Sequence, residues 1–123
     1  MKVMVMVKAT EDSEAGVMPS QEMFEAMGKF NEELVNAGVM LAGEGLHPSS
    51  RGTRIAFDGA SRRVIDGPFA ETREFLAGFN LIEAADIDEA MRIAHEFPWS
   101  RFGSIEVRPV RDMQAVRDRV GAD

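Results

Sequence analysis

The chain contains no cysteine. That excludes a disulfide framework, a thiolate nucleophile and a zinc–thiolate centre, and it fits a reducing compartment. Tyrosine is absent too, and tryptophan occurs once, against nine methionines. Unbranched methionine is adaptable filler of an apolar core. Basic residues are few: 14 against 21 acidic, for a net charge of −7. An acidic domain repels phosphate backbones, so direct nucleic-acid binding is not expected. The densest basic pair is only Arg62-Arg63. No apolar run reaches membrane-spanning length, and Met1 to Lys8 lacks a small-residue cleavage pattern. The expectation is a cytoplasmic protein with no membrane partner. Chemical signatures are missing as well. Gly43-Glu44-Gly45 lacks the third glycine and the following helix of a phosphate-binding loop. Ser49-Ser50 has no nucleophile-elbow surroundings. Glu11, Asp12 and Glu14 lack metal-loop spacing, and His47 and His95 do not make a metal site. No metal and no cofactor are expected.

What is present is a chain of 123 residues, 45% hydrophobic, enough for one domain with its own core. Val3-Met4-Val5-Met6-Val7 is a short β-branched run, suited to a strand buried on both faces. Thr10 to Gly16 reads as a loop. Ser20 is the N-cap of a helix whose stripe is Met23, Met27, Phe30 and Leu34, widened by Phe24 and Val35, and Gly38 ends it. Val39 to Ala42 is a second strand, broken by Gly43-Glu44-Gly45, and residues 46 to 52 are a loop. Thr53 to Phe57 and Arg62 to Ile65 flank an Asp58-Gly59 turn as a hairpin. Phe75 to Ala84 holds another strand. Asp86 and Glu89 cap a second helix with Ala90, Met91, Ala94 and Phe97 inward, stopped by Pro98. Ser104 to Arg108 alternates as a strand with one wet face.

The order is strand, helix, strand, hairpin, strand, helix, strand. Without the hairpin this is a βαββαβ, ferredoxin-like α+β sandwich. Two helices cover one face of such a sheet, and a second copy is the simplest cover for the other, so a homodimer is expected. One domain over residues 1–110 suffices. Residues 111–123 form a tail in which Met113, Val116 and Val120 have helical spacing.

The seven residues Asp66-Gly67-Pro68-Phe69-Ala70-Glu71-Thr72 combine two acids, two backbone breakers and a ring where the hairpin rejoins the domain. Asp66 is either a pocket carboxylate serving as general base or acceptor, or a turn-former accepting backbone N–H groups. Phe69 is a core or interface ring, or lines a ligand pocket. Glu71 and Glu74 lie three apart, with Arg73 and Arg54 available to neutralise them as ion pairs. His47 is an exposed loop histidine unless its loop folds over the motif, which would set it beside Asp66 as a base and its orienter. His95 suits the C-terminal dipole of its helix.

The run from Asp66 to Glu74 resembles the signature of the DGPF-domain, or YCII-related, proteins. So do Ala42-Gly43-Glu44-Gly45-Leu46, Gly78-Phe79 and Ile105-Glu106-Val107-Arg108-Pro109. The resemblance implies a dimeric α+β barrel of ferredoxin-like subunits. It also implies a His–Asp pair in a cleft, as in YCII relatives that include a dehydrochlorinase-like enzyme. Some relatives are encoded beside extracytoplasmic-function sigma factors. Two functions follow as expectations. In the first, a small-molecule pocket carries lyase- or isomerase-type proton transfer. Asp66 and His47 are its catalytic groups, and Glu44, Phe69, Glu71 and Arg54 contact the ligand. In the second, the chain is a non-catalytic regulatory module with a sigma-factor-linked partner, engaged by its acidic surface and its tail.

Overall fold

The computed structural model describes residues 1–70, 75–98 and 103–121. Its principal sheet has four antiparallel strands: β1 (Lys2–Lys8), β2 (Met40–Gly45), β5 (Leu76–Glu83) and β6 (Ile105–Pro109), in the order β2-β5-β1-β6. Helices α2 (Gln21–Asn36) and α3 (Ile87–His95) connect them, so the fold is ferredoxin-like α+β. The strands β3 (Thr53–Asp58) and β4 (Ser61–Asp66) form a separate two-stranded hairpin inserted between β2 and β5.

Alternation on β1 decides the layering. Val3 and Val5 are fully buried and meet the helices, while Met4 and Met6 point the other way and are half-buried. The register carries that split across the sheet. Leu81 and Ala42 lie level with Met4, and Phe79 and Glu44 level with Met6. Met4, Met6, Phe79 and Leu81 therefore form an apolar centre on the face that carries neither α2 nor α3, flanked by Glu44 on β2 and by Glu106 and Arg108 on β6.

Both long helices start and stop for identifiable reasons. Ser20 accepts the Met23 N–H at 3.2 Å, and Asp86 accepts that of Glu89 at 2.8 Å. Glu89 also reaches back, but to the N–H of Ala85 rather than to that of the capping residue. At the far end of α2, Gly38 has φ +74, its N–H bonds Val35 and the Val39 N–H bonds Leu34, closing a Schellman motif. The stripe Met23, Met27 and Leu34 is buried, and Phe30 meets Phe97 edge-on at 4.7 Å over the sheet. Phe24 and Val35 do not widen that stripe; they are 48% and 58% exposed. At about 100° per residue they sit roughly a quarter-turn from its centre. Met91 is turned out for the same reason, and Ile93 packs against the core instead.

Three local expectations are corrected. Gly43-Glu44-Gly45 does not break β2, which runs through all three residues. A β-carbon on Gly43 would lie 3.0 Å from Nδ2 of the buried Asn80, so this glycine marks a close approach within a strand rather than its end. The register shift lies earlier, between Met40 and Ala42. In the hairpin, Asp58 pairs with Ser61, leaving Gly59-Ala60 as the loop. Gly59 has φ +60 and Ala60 has no positive φ, the type II′ pattern with glycine first. Finally, residues 10 to 16 are not simply a loop: Glu11–Glu14 form a single helical turn, α1. A reciprocal cap between Thr10 and Ser13 explains it. In the tail, Met113–Val120 form α4, capped by Asp112, with Met113 and Val120 exposed.

Candidate functional site

The antiparallel register gathers four strand ends at one end of the sheet: the last residues of β1 and β2 and the first of β5 and β6. Backbone bonds tie their loops together there. Lys8 N–H bonds Ser104, Ala9 N–H bonds Phe75 at 2.8 Å, and Leu46 N–H bonds Ala77 at 2.8 Å. The helical turn α1, the loop from Leu46 to Gly52 and the bend after Asp66 all emerge at this end.

The loop docks on the bend. Ser49–Arg51 form one 3-10 turn, and Gly67 N–H donates to the Gly52 carbonyl at 3.0 Å. The Phe69 N–H donates to Ser49 Oγ at 3.2 Å. Gly67 is pressed against the turn so closely that a β-carbon there would run into the Ser49 carbonyl. The Gly67–Pro68 peptide is cis. Glu14 closes the arrangement from α1, with Oε1 accepting the Ser49 N–H at 3.0 Å and Oε2 accepting the Ser49 hydroxyl.

Asp66 ends β4 directly opposite Thr53, whose hydroxyl lies 3.4 Å from Oδ1. Its carboxylate is exposed, and among the described residues no cation pairs with it and no backbone N–H of the bend donates to it. The hairpin's alternation then separates two groups of side chains. Asp66 and Thr53 share a face with Ile55, Val64 and Phe57, which are 52%, 64% and 69% exposed. Arg54 lies on the other face, its guanidinium 4.2 Å from the Phe69 ring centre. Phe69 in turn meets Phe75 edge-on at 5.9 Å.

The expected site residues therefore fall into separate places. Arg54 and Phe69 are in contact. Asp66 stands at the base of the hairpin on its opposite face. His47 is exposed on the docked loop, with Arg51 Nη1 at 3.3 Å from both ring nitrogens. A neutral imidazole has one accepting nitrogen, and an atom equidistant from both lies off the direction of its lone pair, so this contact is packing rather than a directed bond. Among the described residues no hydrogen bond joins His47 to Asp66. Glu44 is exposed near the end of β2, on the apolar sheet face opposite Phe79. Glu71, with Thr72, Arg73 and Glu74, lies outside the described residues. No group of three or more His, Asp or Glu is placed to hold a metal ion among the described residues. No helix there is long and apolar enough to cross a membrane.

Sequence reading missed Glu14 and Ser49. In sequence Glu14 reads as a loop acid, and Ser49 lacks the surroundings of a nucleophile elbow. The spacing of Thr10 and Ser13 was a legible signal for α1, but nothing local marks a contact across 35 residues.

The YCII-related domain matches residues 1–114, nearly the whole chain. The chain belongs to that family. An uncharacterized protein of Rhizobium meliloti (strain 1021) is 38% identical over 78 residues, 62% of this chain and 63% of that protein, so less than two thirds of the relative's length is matched. Among solved structures, the chain resembles the 5-chloro-2-hydroxyhydroquinone dehydrochlorinase TftG from Burkholderia phenoliruptrix AC1100, in complex with 2,5-dihydroxybenzoquinone. The TM-score is 0.54 at 14% identity, over 94% of this chain and 98% of the other. At that identity the likeness is one of fold. The YCII membership agrees with the sequence resemblance, and these likenesses lend no support to a sigma-factor partner.

Proposed function

We propose that this YCII-related protein binds a small organic acid at Asp66 and moves a proton on it, with Asp66 and His47 as the proton-carrying groups. The observation that carries the reading is the state of Asp66. Its carboxylate is exposed, held among the described residues by the Thr53 hydroxyl alone, and set beside a bend locked by a docked loop. A carboxylate serving only the turn would be spent on backbone N–H groups; one with free lone pairs at a fixed position is fitted to accept a proton. His47 stands on the docked loop, two residues before Ser49. Exposed Ile55 and Val64 offer apolar contact on the Asp66 face, while Arg54 and Phe69, packed together on the other face, support the bend in this reading. Glu44 and Glu71 are auxiliary acids in this reading.

The same proposal includes a homodimer. Met4, Met6, Phe79 and Leu81 form an apolar patch on the sheet face that the chain's own α2 and α3 leave open, and a two-fold axis would cover it with its own copy.

A planar enolic acid, 2,5-dihydroxybenzoquinone, is the probe, titrated at a mildly acid pH where it keeps one enolic O–H to donate to the Asp66 carboxylate. Absorbance titration reads its affinity, and proton NMR reads replacement of its ring hydrogens by solvent deuterium. Asp66→Asn is expected to weaken binding about tenfold or more, the worth of one charge-assisted hydrogen bond, and to slow the exchange. Sedimentation is expected to give twice the chain mass for both proteins. An Asp66→Asn protein that binds and exchanges like the original sinks the site. An Asp66→Asn protein that loses its fold returns Asp66 to a structural role.

A further inference from the structure

Three segments far apart in sequence meet at Ser49, and the proton chemistry proposed above uses neither Ser49 nor Glu14. We infer that Glu14 and Ser49 are positioning residues of the Asp66 site: together they clamp the His47 loop onto the bend that follows Asp66. The inference rests on the reading of Asp66 as a ligand site and adds to it what holds that site in shape.

The hydrogen-bond inventory fixes the direction of every link. A serine hydroxyl has one proton and two lone pairs. Glu14 carries no proton to give when ionised, so the Ser49 hydroxyl donates to Oε2. The Phe69 N–H can only donate, so it takes one lone pair of the same oxygen. Both oxygens of Glu14 are spent on this one residue, because Oε1 accepts the Ser49 N–H. That N–H is the first of the 3-10 turn, and Pro48 before it makes no side-chain cap. Glu14 thus caps, from a remote helical turn, a turn that cannot cap itself. Both residues are half-buried, which protects charge-assisted bonds from solvent screening.

The consequence is geometric. His47 precedes Ser49 by two residues, and Asp66 precedes Phe69 by three. A bond from Phe69 N–H to Ser49 Oγ, with Ser49 itself held by Glu14, limits how far the two chemical groups can drift apart. A site held in its working geometry before binding loses less on ordering when the ligand arrives.

The test compares Glu14→Gln, Ser49→Ala, the double variant and Ser49→Thr, with Glu11→Gln on the same helical turn as control. Amide hydrogen exchange at Phe69 reads the clamp without any ligand. Affinity for 2,5-dihydroxybenzoquinone reads the site, at a temperature where circular dichroism shows every variant folded. Ser49→Ala is expected to speed Phe69 exchange about tenfold or more, one lost hydrogen bond in a shielded place. Glu14→Gln is expected to do the same although it does not touch Phe69. The double variant should match Ser49→Ala alone, the sign of one coupled unit. Both single variants should weaken the probe about tenfold, Ser49→Thr should restore it, and Glu11→Gln should change neither reading. Unchanged Phe69 exchange overturns the clamp. Faster exchange with unchanged affinity overturns the positioning role while leaving the Asp66 site standing, provided Asp66→Asn has lost the probe. If the unaltered protein does not bind the probe, the ligand reading falls and the positioning role falls with it.

Discussion

Replacing Phe97 by alanine is expected to lower the stability of the folded chain by about 3–5 kcal/mol. Phe97 lies two residues past the end of α3, beyond the capping Glu96, is 1% exposed, and meets Phe30 of α2 edge-on with ring planes at 63°. It lies where the two helices close over Val3, Val5 and Ile82, which are themselves fully buried. Truncation removes the transfer energy of a whole ring and leaves a hole. The surrounding cluster includes β-branched Val3, Val5 and Ile82, which are stiff, and Met23 and Met27, which can refill only part of a ring-sized space. A domain of this size has only about 5–15 kcal/mol in hand, so the loss is a large share of the total. Urea unfolding reads it as a fall in midpoint at unchanged slope. A fall below about 1 kcal/mol would mean that α3 can slide to refill the space, and that Phe97 does not hold the helices on the sheet.

The features visible in sequence were those set by short-range rules. A stripe at steps of four, three and four gave α2, Ser20 and Asp86 gave the starts of α2 and α3, and Gly38 gave the end of α2. The element order then fixed the ferredoxin-like topology, because few arrangements cover an antiparallel sheet with two helices. Sequence is ambiguous where one residue type serves two physical purposes. Glycine in β2 signalled a break, but Gly43 is there to make room for Asn80. Phe24 and Met91 are apolar yet face outward, because side-chain direction on a helix follows its angle and not its chemistry. The site was less legible still. The stretch from Asp66 to Phe69 stood out by composition, whereas Glu14 and Ser49 look like ordinary loop residues in sequence. Their role comes from a tertiary meeting of three chain segments, and periodicity carries no information about that.

Gly67→Ala is expected to cost about 3 kcal/mol, at the upper end of what overpacking costs. The cause is space and not backbone angle, since Gly67 is absent from the glycines with positive φ. An added β-carbon would overlap the Ser49 carbonyl and press on Ser50 N at 3.3 Å. These are backbone atoms of a hydrogen-bonded turn and cannot rotate aside as a side chain could. Relief requires the turn to lift. Lifting it stretches the Gly67 N–H bond to Gly52, the Phe69 N–H bond to Ser49 Oγ, and with Ser49 the hold of Glu14. The variant should therefore lose stability and Phe69 amide protection together, and a denaturation curve paired with amide exchange reads both. Loss of stability with Phe69 still protected would place the strain elsewhere in the bend and separate the glycine from the clamp. A Gly67→Ala protein within about 0.5 kcal/mol of the original would show that the Ser49 turn yields freely, and a turn that yields freely cannot hold His47 in a fixed relation to Asp66.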